Sequence, residues 1–96
     1  MMTYLLDYEF NQQEINEFKA INKSFIVEKL DEFQELIKKN MMFLKKLGVV
    51  NYKEIFKRHA EMFLMDNEAF EEIFEKYDRE DLIEKLKNNP DLVEQL

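Results

Sequence analysis

One glycine and one proline in 96 residues leave almost no material for tight turns. Sheets made of hairpins and meanders place Gly, Pro, Asn or Asp at nearly every reversal. A chain so poor in Gly and Pro is directed toward helices joined by short connections. Hydrophobic residues make up 46% of it, enough for one shared core, so one helical domain over residues 1–96 is expected. The expected fold class is all-α: a compact bundle of four to six helices, with an extended N-terminal arm as an open alternative for residues 1–10.

The longest run with one clean period is Ser24 to Gly48. Phe25/Ile26, Leu30, Phe33, Leu36/Ile37, Met41, Leu44 and Leu47 recur every three or four residues and so share one face of a helix. Gly48 follows, the residue that most easily takes a left-handed C-terminal cap. A straight helix over this run would be ~37 Å long.

Upstream, residues 3–10 alternate, with Tyr4, Leu6, Tyr8 and Phe10 on one side. Period two reads as extended chain. Three placements satisfy it: an arm laid over helices, the start of the first helix, or an edge strand pairing with another chain. Asn11 with Glu14 forms a capping-box pattern, and Ile15, Phe18, Ile21 and Phe25 continue the apolar stripe. A bend or break is expected at 22–24, with Ser24 capping the next helix. Asn51 with Glu54 repeats the capping-box pattern. The helix it starts should reach Asp66 or Asn67, where a new one is capped. Another helix should begin at Asp78 or Arg79, and a short last one after Asn89-Pro90. Leu30, Phe33, Leu44, Phe63, Phe70 and Ile73 are expected in the core.

The chemical inventory is small. There is one His (His59), one Ser (Ser24), one Thr and no Cys, which excludes disulfides, thiolate metal sites and thiol catalysis. His59 lies on an apolar stripe beside Phe56, Met62 and Phe63 and reads as a partly buried structural residue. No Gly-rich phosphate loop, HExxH or calcium-loop pattern occurs. No enzyme, cofactor or metal is expected. No apolar run approaches a membrane span, and MMTYLLDYEF carries Asp7 and Glu9 where a signal sequence would be apolar. A cytoplasmic protein is the expectation.

Charge is distributed in blocks. The chain is −7 overall, but residues 36–58 carry seven basic groups against one acid, and residues 59–96 carry twelve acids against four bases. The acidic total disfavours direct binding to nucleic acid or anionic membranes. Met41 and Met42, with Met62 and Met65, widen the apolar arc beyond a narrow stripe. Adaptable Met surface beside acidic helix suggests a protein-docking site at Met41, Met42, Met62, Met65, Glu68, Glu71, Glu72 and Glu75. The expected role is a small acidic regulator or inhibitor that occupies a surface of a larger protein partner. The alternatives are a nucleic-acid mimic of the phage anti-defence type and a structural homo-oligomer. A homodimer is expected, with the N-terminal segment contributing to it.

The ending LKNNPDLVEQL, Leu86 to Leu96, resembles the Asn/Asp-Pro helical motif of certain co-chaperones and ubiquitin-shuttle proteins, which bind apolar segments of clients. It spans eleven residues in one copy, and no function is carried over from it.

Overall fold

The computed structural model describes residues 2–96. Among them are six α-helices: α1 (Gln12–Ile21), α2 (Ser24–Glu32), α3 (Gln34–Leu47), α4 (Tyr52–Arg58), α5 (Asn67–Glu75) and α6 (Arg79–Asn88). Three 3₁₀ segments complete the fold: Thr3–Tyr8, Ala60–Leu64 and Pro90–Gln95. No strand occurs among the described residues, and the all-α expectation holds.

Residues 2–10 are neither an arm nor an edge strand; Met1 lies outside the described residues. Met2, Leu5 and Tyr8 recur every three residues, the period of a 3₁₀ turn, and all three are buried together with Tyr4 and Phe10. Leu6, placed with the inward set by the alternation, is exposed instead. The Met2 N–H donates to Asp31 Oδ1 at 2.8 Å and the Tyr4 hydroxyl to the Leu30 carbonyl at 2.9 Å, so the segment is tied to α2. Its apolar side chains are spent inside the chain's own core, which removes the argument that they serve a dimer.

The stretch 24–47 is two helices, not one. Phe33 leaves the helical region (φ −103, ψ 35) and is 45% exposed, against the core position expected for it. Carbonyls near the break find other donors: Tyr4 bonds Leu30, and the Gln34 side chain bonds Asp31. The break at 22–23 occurs as expected, but Lys23, not Ser24, holds the cap position, and no side chain bonds there. Ile21 and Phe25, on the expected stripe, are 78% and 59% exposed.

The helix starting at Tyr52 ends at Arg58, well before Asp66. Asn51 does not close a capping box; its amide donates to the Leu86 carbonyl at 2.7 Å, tying this turn to α6. The Asn11–Glu14 box is formed in full, Asp78 caps α6 through the Asp81 N–H, and Asn89 caps the final 3₁₀ turn. Asp66 takes the position before α5 without a side-chain bond.

Aromatic rings run through the middle. Phe18 stacks on Phe56, and Phe56–Phe63, Phe63–Phe70 and Phe70–Phe74 follow with centroids 5.1–5.2 Å apart. Leu30, Leu44, Phe63 and Phe70 are in the core as expected; Ile73 is only half-buried. One polar side chain joins them. Asn40 is fully buried, donating to the Phe63 and Met65 carbonyls at 2.9 Å each and accepting from the Asn67 amide at 2.9 Å. It satisfies backbone where the central 3₁₀ segment gives way to α5. Leu64 to Asn67 are thereby held in place, and with them one wall of the site described next.

Candidate functional site

His59 stands where α4 stops and the central 3₁₀ segment begins. Its φ of −133 takes it out of the helix and directs the chain into the tighter turn. The C-terminal 3₁₀ segment crosses this junction, because Pro90 suits a first helical position and Val93 enters the core. That crossing brings Asp91 and Glu94 to the imidazole. His59 Nε2 lies 2.9 Å from Asp91 Oδ1, and Nδ1 lies 3.3 Å from Glu94 Oε1. The Nε2 contact with Asp91 is a hydrogen bond, and the Glu94 carboxylate lies within ion-pair distance of Nδ1. Arg58 brings a cation to 3.2 Å from Asp91 Oδ2. The bond to His59, with the nearby Arg58 charge, holds the Asp91 carboxyl below its ordinary range.

Beside this cluster opens a groove of about 500 Å³. Its floor is apolar: Met62 and Met65 from the central turn, Ile73 from α5, and Val93 and Leu96 from the C-terminal segment. Its polar lining consists of Asn22, Arg58, His59, Glu61 and Glu94. Ile21, next to Asn22 in sequence, is exposed and lines a separate small pocket with Glu14, Glu17, Phe18 and Lys57. The size is in the range of sites that take a small ligand or a few partner side chains. Both ring nitrogens of His59 are engaged by carboxylates, so neither is free for Ser24. No group of three or more His, Cys, Asp or Glu is arranged to hold a metal ion among the described residues.

The structure separates the residues expected to form one docking site. Met62 and Met65 line the His59 groove. Met42 and Glu71 line a different groove, between α3 and α5. Glu68, Glu72 and Glu75 are exposed on α5 and line neither. Met41 is 0% exposed and packs in the core, so it is corrected from docking residue to core residue. The reason lies in helix geometry: adjacent residues point ~100° apart, and the Met41 direction is the one that faces inward. His59, expected as a lone structural residue, anchors the rim. Val93, Glu94 and Leu96 were not foreseen at all, because nothing local signals that the last turn crosses back over α4.

No family model matches the chain, nor does any curated protein or solved structure. No helix among the described residues is long and apolar enough to cross a membrane.

Proposed function

We propose that this protein is a small acidic regulator or inhibitor that works by occupying a surface of a larger protein partner, with the His59 groove as the contact. One observation carries the reading: Met62, Met65, Ile73 and Leu96, all only partly buried, line one groove together with core residue Val93. A chain that encloses most of its large apolar residues leaves Met62, Met65, Ile73 and Leu96 partly open to solvent. Methionine is unbranched and adapts to the shape of an inserted side chain, which suits a floor that must receive a partner's apolar segment. The ion-paired rim would fix how that segment lies. The absence of cysteine suits a reducing, cytoplasmic setting.

A second reading rests on α5 and α6, where Glu68, Glu72, Glu75, Asp78, Glu80, Asp81 and Glu84 are all exposed. Acids in such number support mimicry of a nucleic-acid backbone, as in phage anti-defence proteins. The two readings separate in one experiment. The full chain is used to capture partners from its host, in parallel with Met65→Lys, and the recovered partner is titrated calorimetrically. Docking in the groove predicts loss of capture with Met65→Lys, a negative heat-capacity change and weak salt dependence. Mimicry predicts binding that survives Met65→Lys, falls steeply with salt and is lost in E72K/E75K. Capture that both variants retain would overturn the groove reading and the mimicry reading together.

A further inference from the structure

A second groove, of about 480 Å³, lies between α3 and α5. Met42 and Phe43 form its floor. Its two walls carry opposite charge. From α3 come Lys39 and Lys46, both exposed, and from α5 comes Glu71. Glu68 and Glu75, three residues before Glu71 and four after, do not line the groove but share that side of α5 by helical periodicity and extend its acidic face beyond the groove. Neither Lys39 nor Lys46 has a carboxylate ion-pair partner among the described residues, and Glu68, Glu71 and Glu75 have no basic one. Lys38, on the same rim, is already engaged by Glu35 at 2.6 Å.

We propose that this groove is where two copies of the chain pair about a two-fold axis, α3 of each copy facing α5 of the other. A foreign partner needs only a surface complementary to its own. A two-fold contact requires a patch complementary to itself, so that residue i meets j while j meets i. A basic wall and an acidic wall on either side of one apolar floor meet that requirement, because a half-turn lays each wall on its opposite. The spacing also agrees. Lys39 and Lys46 are seven residues apart, as are Glu68 and Glu75, and seven helical residues rise ~10.5 Å in both rows. Met42 and Phe43 of the two copies then close over each other and supply apolar burial against the repulsion of two chains of charge −7. The pairing does not depend on the His59 groove, and either site can fail without the other.

Sedimentation equilibrium of the full chain, from micromolar to millimolar concentration, tests it. The wild-type mass should rise from 11.8 kDa toward twice that value. K39E/K46E should pair about tenfold more weakly or worse, and so should E68K/E75K, since each places like charges on facing walls. The second variant is decisive. It makes the chain less acidic, so if net repulsion alone governed association it would pair better than wild type. An equimolar mixture of the two variants should regain the dimer, because one then presents two acidic walls and the other two basic ones. All four positions are exposed, and circular dichroism checks that both variants keep their helices. A wild-type mass of 11.8 kDa at every concentration overturns the proposal. So does E68K/E75K pairing at least as well as wild type, or a mixture no heavier than its components.

Discussion

The Asn67 side-chain amide donates to Asn40 Oδ1 across 2.9 Å, joining two residues 27 apart in sequence. Asn40 in turn holds the Phe63 and Met65 carbonyls, so one buried amide bonds the backbone of the turn whose Met62 and Met65 line the candidate groove. Replacing Asn40 with Ala or Leu would strand two carbonyls and the Asn67 amide. The expected cost is about 2–4 kcal/mol in urea unfolding, because buried groups left without partners lose their desolvation energy. Asn67→Ala should cost less, since the Asn40 donors would keep both of their acceptors. A cost under about 1 kcal/mol for Asn40→Ala would mean that water or a shifted backbone replaces the bonds.

Glu14 accepts from Lys57 Nζ at 2.9 Å, from the Asn11 N–H at 3.0 Å and from Lys53 Nζ at 3.2 Å. The Lys57 bond foremost, then the Asn11 N–H and Lys53, lowers its pKa from 4.5 to about 2. A depressed carboxyl stabilises the fold fully above its unfolded value and loses that contribution as pH falls through its folded one. Stability should therefore decline between pH 4.5 and about 2. Glu9 and Asp91, both shifted downward, act in the same direction. Glu14→Gln should reduce stability at pH 7 and flatten the acid side of the curve of urea midpoint against pH. An unchanged acid slope would show that Glu14 is not ionised through that window.

Phe33→Ala should cost less than about 1 kcal/mol, whereas Phe63→Ala should cost about 3–5 kcal/mol. Phe33 stands outside the core at the α2–α3 break, while Phe63 lies between Phe56 and Phe70. Parallel denaturant melts of the two variants read the difference. Equal costs would mean that 24–47 is a continuous helix with Phe33 turned inward.

Removal of residues 1–10 should unfold the protein rather than merely alter its association. Met2, Tyr4, Leu5, Tyr8 and Phe10 would be taken from the core together. At about 2–5 kcal/mol for each large buried side chain, the five together cost about 10–25 kcal/mol, as much as or more than the 5–15 kcal/mol that small domains possess. Far-UV circular dichroism of the truncated chain should show mostly coil. A cooperative melt near the wild-type temperature would restore the segment to the status of a dispensable arm.

Gly48→Ala should destabilise by about 1–2 kcal/mol, because a left-handed residue with a Cβ is strained. Gly48 has φ +106, and a Cβ there would sit 3.2 Å from Ile83 Cδ1. A neutral result in thermal melts would mean that the α3 terminus rearranges.

Much of the architecture was determined locally. The dearth of Gly and Pro dictated helices, and short-range chemistry set several ends: Asn11 with Glu14, Gly48, Asp78 and Asn89-Pro90 each act within a few residues of their own position. Tertiary structure decided the rest, where local signals were ambiguous or outweighed. The alternation of residues 3–10 fits a strand as well as a turn, and contacts with Asp31 and Leu30, over 25 residues away, selected the turn. The apolar period through Phe33 suited one long helix, but the chain breaks there, and Tyr4 and Gln34 side chains take the Leu30 and Asp31 carbonyls. Asn51 had a capping partner in sequence and instead bonds Leu86, 35 residues on. The candidate groove is the extreme case. Its floor and rim come from the α1–α2 junction, α4, the central turn, α5 and the last turn, and the step that assembles them is the crossing of Asp91 and Glu94 over His59. No period or motif encodes that crossing, because it depends on how whole helices pack, and packing energy is shared among residues far apart in the chain.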